Sequence, residues 1–305
     1  MLNEAIVQRI IDIVGETRKL FDEPMCNHTT FRTGGNADAL IKPSSINHIE
    51  PLFGLLKKND VPYIVLGNGS NVLVGDKGIR GVVIQLGNEF GQVNVENTKI
   101  KAQSGIKLSR LASIAYKNNL TGLEFAGGIP GTLGGAVFMN AGAYGGEMSQ
   151  VVTEVTYFDT DGKVKSIDGK DCDFGYRTSF FEKNKGAVVL GCTIELREGN
   201  PCEIKAMMDD FAERRSSKQP LNLPSAGSTF KRPEGYFAGK LIQDADLIGL
   251  RVGGASVSTK HAGFVVNDKN ATSKDVMDLI KLVQEKVYEK FGVMLEPEVR
   301  FIGEF

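Results

Sequence analysis

The chain has 305 residues, 41% hydrophobic and 24% charged, with 36 Lys and Arg against 37 Asp and Glu, enough for one large or two modest domains with a substantial core. A formal net charge of -1 and the absence of any long Lys/Arg run argue against nucleic acid as a partner, and no apolar run reaches the 18 or so residues that membrane insertion needs. Four irregularly spaced cysteines and three scattered histidines indicate neither a disulfide framework nor a metal site, which suits a reducing cytoplasm.

In chain order, residues 3 to 19 have the apolar spacing of an amphipathic helix, with Ile6, Ile10, Ile13 and Val14 on one face. Residues 28 to 42 lead through Thr33, Gly34 and Gly35 into an alternating strand. A helical stripe of Ile49, Leu52, Phe53 and Leu56 follows. Short strands are expected at 63–67, 71–75, 81–86 and 99–105, then a helix at 108–118. The runs VTEVTYFD and KVKSID flank Asp161-Gly162, a hairpin signal because both residues tolerate positive φ. A buried strand is expected at 187–196. Composition shifts near 197–203, where the main boundary is placed: residues 1–200 (parts of about 1–75 and 76–200) and residues 201–305. Beyond it come a helix with Ile204, Met207 and Phe211 on one face, another around Ala238 to Asp246, and a strand in HAGFVVND. A long helix then opens with the capping pattern Thr272-x-x-Asp275, and EVRFIGEF supplies a terminal strand.

Glycine is the anomaly. Its 36 copies are about 12% of the chain against an ordinary ~7%, and nine lie between 122 and 146. Gly67, Asn68, Gly69, Ser70 and Asn71 form a loop between two strands whose consecutive N–H groups could cup a phosphate, although a plain tight turn would have the same composition. It is not a Rossmann fingerprint, because Val72 stands where the third glycine belongs. A second loop, Gly128, Ile129, Pro130, Gly131, Gly134 and Gly135, leading into a small-residue strand, suggests a dinucleotide; tightly packed, bulged strands are the alternative.

These segments together resemble the UDP-N-acetylenolpyruvoylglucosamine reductase family. The resemblance runs in order through TGGNAD (33–38), LGNGSN (66–71), GLEFAGGIPGTLGGAVFMNAGAYGGE (122–147), YRTSFF (176–181), ERRSSKQP (213–220), PSAGSTFKRP (224–233), AGKLIQDADLIG (238–249), STKHAGFVVN (258–267) and EVRFIG (298–303). It implies an α+β chain: a two-part FAD-binding domain of the vanillyl-alcohol-oxidase/p-cresol-methylhydroxylase type over 1–200, then a smaller substrate-binding domain over 201–305. It implies a cytoplasmic NADPH-dependent flavoenzyme, with non-covalent FAD held by residues 33–35, 67–71 and the Gly128–Gly135 loop. Its substrate would be UDP-N-acetylglucosamine enolpyruvate, reduced to UDP-N-acetylmuramate for peptidoglycan, with no metal. By the same resemblance Ser228 is the proton donor, Arg177 and Glu298 stabilise developing charge, and Tyr144, Tyr176, Arg215 and Arg300 contact substrate. The short segment between Arg177 and Ser228 matches the family type without an extra tyrosine-bearing loop. Two other readings are a different small-molecule oxidase or dehydrogenase on the same flavin fold, and a non-enzymatic nucleotide-binding module.

Overall fold

A computed structural model describes residues 2–305. The chain divides into two compact units, neither continuous in sequence. Unit 1 takes the chain as far as Phe21 together with Ala39–Asn68 and Gly81–Arg215, and unit 2 takes Asp22–Asp38, Gly69–Arg80 and Ser216–Phe305. Residues 22–38 and 69–80 thus group with the last ninety rather than with their sequence neighbours.

Unit 1 holds most of one sheet and the whole of a second. A four-stranded sheet has the order Lys19–Pro24, Asn36–Ile41, Ile79–Gln85, Tyr63–Leu66, the last pair being parallel. Helices α1 (Glu4–Val14) and α2 (Ile49–Lys58) share its hydrophobic cluster, in which Phe53 meets Tyr63 edge-on at 5.0 Å. Helix α1 is shorter than its apolar spacing predicts. Asn3 caps it through Ile6 N at 2.9 Å, and Gly15, at φ +90°, stops it after Val14.

The second sheet is antiparallel, in the order Val164–Asp168, Val152–Phe158, Val188–Glu195, Lys99–Gln103, Val93–Glu96. The expected hairpin is present, but its turn is longer than two residues. The Asp159 carboxylate accepts from Asp161 N and Lys163 N, both at 2.9 Å, and of the expected pair only Gly162 takes positive φ. Helices α3 (Leu108–Lys117) and α4 (Leu133–Phe138) share this sheet's core.

Helix α4 corrects an expectation: the segment after the second glycine loop is helical, not a strand. Gly134 sits inside it because Ser104 lies across its path; a Cβ there would stand 2.7 Å from Ser104 Cβ, and Gly134 N donates to Ser104 O at 2.8 Å. Packing has overridden the low helix propensity of glycine. Two further helices are α5 (Phe180–Lys183) and α6 (Pro201–Lys218), the latter burying Ile204 while Met207 stays exposed.

In unit 2, α7 (Ala238–Asp244) and α8 (Ser273–Phe291) enclose a cluster with the sheet Arg251–Val252, Ala255–Val257, Val265–Asn267. Thr272 and Asp275 form the expected capping box, and Val276, Leu279, Ile280, Val283 and Val287 bury one stripe of α8. Each such side chain contributes about 1.5–3 kcal/mol of apolar burial. Asp76 caps the same helix end, accepting from Ser273 N and Lys274 N at 2.8 and 2.9 Å. Strand Val72–Val74 pairs in parallel with Arg300–Ile302.

Candidate active site

The first candidate loop contributes Gly67 and Asn68 to unit 1. There the Asn68 side chain donates to Pro130 O at 2.6 Å, and a Cβ on Gly67 would collide with Thr132 Oγ1. The two glycine loops of this unit therefore lie against each other. Gly128 and Gly135 are exposed, and Gly131 O accepts from Leu108 N at 3.1 Å. Beside the second loop, the Ser104 hydroxyl is 1% exposed and has no hydrogen-bond partner among the described residues.

Unit 2 carries the rest of the candidate cofactor set. Gly35 N donates to Gly75 O at 3.0 Å and Gly69 O accepts from Thr30 N at 3.1 Å, which pins both segments by their backbones. Ser70 lies half-buried between Gly69 and Asn71. Thr33, buried beside Gly34, has an Oγ1 with no hydrogen-bond partner among the described residues. A buried hydroxyl left unpaired costs about 1–3 kcal/mol, which a polar ligand offsets. The Ser104 and Thr33 hydroxyls, each next to a candidate loop of its own unit, therefore fit a polar cofactor such as FAD.

Three catalytic candidates fall into two assemblies. In unit 2, Ser228 is exposed and immediately precedes Thr229, which is fully buried. Thr229 N donates to Gly263 O at 2.9 Å, Thr229 Oγ1 accepts from Val265 N at 2.9 Å, and Thr229 O accepts from Glu298 N at 2.8 Å. Asn71 adds a further tie, donating from its side chain to Glu298 O at 3.1 Å while its own carbonyl accepts from Arg300 N at 3.0 Å. Ser228, Glu298, Arg300 and Asn71 are thus neighbours along one hydrogen-bonded network. His261 supports it from behind: its Nδ1 accepts from Gly263 N at 3.1 Å, and burial lowers the imidazole's pKa.

In unit 1, Arg177 occupies the turn Gly175-Tyr176-Arg177-Thr178, closed by Gly175 N to Thr178 O at 3.1 Å and Thr178 N to Gly175 O at 3.3 Å. Its φ is +57°, a costly conformation for a residue with a Cβ. The guanidinium lies 5.1 Å from the centre of the exposed Tyr176 ring. A second group of candidates joins Tyr144 and Arg215. Tyr144 stacks on Phe211, one helical turn before Arg215 on α6, with centroids 4.6 Å apart and planes at 13°. A Cβ on Gly128 would stand 2.6 Å from Arg215 Nη1, so the arginine lies directly against the second glycine loop. Burial lowers the Arg215 pKa and Tyr144 opposes that.

Asn140, Thr229 and Ser104 escaped the sequence reading, and Phe211 entered it only as part of a helical face. Of the three, only Asn140 had a local signal, an Asn-Ala-Gly after an apolar run, which suits a turn. Among the described residues no cluster of His, Cys, Asp and Glu could hold a metal ion, and no helix is long and apolar enough to cross a membrane.

Comparison with known proteins places this geometry in a class and then in a family. Residues 37–168 match a family model described as an FAD binding domain, and residues 219–302 match the C-terminal domain of UDP-N-acetylenolpyruvoylglucosamine reductase. The fold also resembles that of an alkyldihydroxyacetonephosphate synthase, with a TM-score of 0.51 at 15% identity over 65% of this chain and 41% of that one, a likeness of fold alone. This is the expected α+β architecture, an FAD-binding domain of the vanillyl-alcohol-oxidase/p-cresol-methylhydroxylase type with a C-terminal domain. The UDP-N-acetylenolpyruvoylglucosamine reductase of Clostridioides difficile is 50% identical over 304 residues, the whole of both chains. The crystal structure of the Thermus caldophilus reductase superposes with a TM-score of 0.79 at 35% identity, covering 93% of this chain and 97% of that one. The chain belongs to the UDP-N-acetylenolpyruvoylglucosamine reductase family.

Proposed function

We infer that Ser228, Arg177 and Glu298 carry the reaction of this family in this chain, with the cofactor held by Thr33, Gly34, Gly35, residues 67–71 and the Gly128–Gly135 loop. The chain is a flavin-dependent oxidoreductase of peptidoglycan precursor synthesis, reducing UDP-N-acetylglucosamine enolpyruvate to UDP-N-acetylmuramate with NADPH as reductant. The observation that carries the reading is the 50% identity to the Clostridioides difficile reductase across the whole of both chains. Residues 1–200 are read as the FAD-binding part and 201–305 as the substrate-binding part. The cytoplasm suits an enzyme whose four cysteines are free thiols, and no nucleic-acid partner is proposed.

Bound FAD would supply hydride chemistry, passing a hydride equivalent from NADPH to the terminal vinyl carbon of the enolpyruvyl ether. The protein must then manage charge and one proton. Negative charge builds on the substrate carboxylate, for which the planar Arg177 guanidinium offers two parallel donors. Its left-handed backbone is the kind of strain that persists where surroundings hold it. Glu298, protonated or hydrogen-bonding, assists at the same charge. Ser228 gives its proton to the carbon beside the carboxylate; a hydroxyl is a weak acid, so the acceptor must be strongly basic. Tyr144, Tyr176, Arg215 and Arg300 are assigned to the sugar, diphosphate and carboxylate of the substrate.

The experiment is anaerobic. Enzyme reduced by NADPH is mixed with the enolpyruvyl substrate while flavin absorbance is followed. Reoxidation matched by UDP-N-acetylmuramate supports the reading; flavin that stays reduced with the substrate and reoxidises only when oxygen is then admitted would replace it with a small-molecule oxidase on the same fold.

A further inference from the structure

We propose that Asn140 is a positioning residue for Arg177, locking the turn that carries the arginine; the inference rests on the assignment of Arg177 as the cation for the substrate carboxylate. Asn140 is 1% exposed, and both functional atoms of its side chain are spoken for. Nδ2 donates to Gly175 O at 3.1 Å, and Oδ1 accepts from Ser149 N at 2.9 Å. Gly175 O also receives Thr178 N, the bond that closes the turn, so both lone pairs of that carbonyl are engaged.

This matters because Arg177 sits at φ +57° inside that turn. A left-handed residue with a side chain is strained and holds only where its neighbours over-determine it. Here both flanks are held from one short stretch. Asn140 fixes the turn at Gly175, and Phe138, two residues earlier, accepts the Ser179 hydroxyl at 2.8 Å on the far side of Arg177. Asn140 has a second task, because it is itself left-handed at φ +43° and follows α4, where Ala141 N returns to Ala136 O at 2.8 Å. The helix emerging from the second glycine loop thus ends on the residue that clamps the catalytic turn.

Two variants separate the tasks. Asn140→Gly keeps the left-handed helix end and removes both side-chain bonds. Asn140→Asp keeps the acceptor for Ser149 N but sets a carboxylate oxygen against Gly175 O. Each is made alone and with Arg177→Ala, purified with FAD, and measured by stopped flow in both half-reactions. The expected result is flavin reduction by NADPH within about twofold of wild type and reoxidation by the enolpyruvyl substrate slowed by about 10- to 100-fold, the cost of misplacing a reacting group by about an ångström. In the Arg177→Ala background the same substitutions should add less than about threefold, since the residue they act through is gone. If Arg177→Ala alone leaves reoxidation unchanged, the assignment of Arg177 fails and takes this proposal with it. If Arg177→Ala slows reoxidation while the Asn140 variants do not, or slow it equally in both backgrounds, only the positioning role is overturned. Failure of both variants to fold with FAD makes Asn140 a structural residue and overturns it as well.

Discussion

The backbone N–H of Glu298 donates to the carbonyl of Thr229 at 2.8 Å, which ties Glu298 to the residue immediately after Ser228. Two candidate catalytic side chains from distant parts of the chain thereby share one rigid backbone link. Fully buried Thr229 is the hub, since it also engages Gly263 and Val265.

Thr229→Val keeps the shape and deletes the acceptor for Val265 N. A buried donor left unpaired costs about 1–3 kcal/mol, so urea unfolding should show a loss in that range. Reoxidation of the reduced flavin should slow while reduction by NADPH is kept. A stability change under about 0.5 kcal/mol would show that the hydroxyl does not hold this strand.

Ser228→Ala should bind FAD, fold normally and accept electrons from NADPH. It should lose reoxidation by the enolpyruvyl substrate by on the order of 10²- to 10⁴-fold, the usual worth of a general acid. Because Ser228 is exposed, its removal has little packing cost. An unchanged oxidative half-reaction removes Ser228 from the mechanism.

At Arg177, strain and function should separate. Arg177→Gly relieves the positive φ and is expected to raise unfolding stability by up to about 1 kcal/mol while substrate-driven reoxidation collapses. Arg177→Lys keeps the charge but not the paired donors, and should also slow reoxidation strongly. Lower stability in the glycine variant would mean that the guanidinium holds the fold.

Flavin should be released by acid precipitation, leaving a colourless pellet. Neither glycine loop contains Cys or His, and the nearby His28 imidazole is paired with Glu23 at 2.7 Å. Yellow protein in the pellet would reveal a covalent link.

Acid should weaken unit 2 through His261. Burial lowers its folded pKa, and protonating Nδ1 removes the acceptor for Gly263 N. The unfolded chain then binds the proton more readily, so this stability is present above the unfolded value of about 6.5 and declines as pH falls below it. Unfolding measured from pH 8 to 5 should show that decline in the wild type and a shallower one in His261→Gln. Parallel curves would acquit His261.

Much of this was written in local pattern. The capping box and apolar spacing of α8 are visible in Thr272, Asp275 and the stripe from Val276 to Val287, because helices advertise themselves every three or four residues. Helix α4 was not visible, since Gly134 is there to clear Ser104, some thirty residues away in sequence. The turn after Phe158 was misjudged in length because the Asp159 side chain, rather than Asp161-Gly162 alone, organises it. Candidate residues could be named from ordered motifs. Their supports, Asn140 under Arg177 and Thr229 beside Glu298, depend on contacts that no spacing encodes.

The parallel pairing of Val72–Val74 with Arg300–Ile302 has a consequence for how the protein is made. Asn71 and Glu298, bonded in the finished structure, are 227 positions apart. At ribosomal speeds of about 5–20 residues per second, the early strand waits on the order of 10–45 s for its partner. During that interval its backbone groups and the apolar side of Leu73 lack the last segment that covers them, a period in which a chaperone would find work. A premature stop just before Arg300 would remove Arg300–Ile302 and so leave unit 2 unfinished at Val72–Val74, a strand translated long before the break.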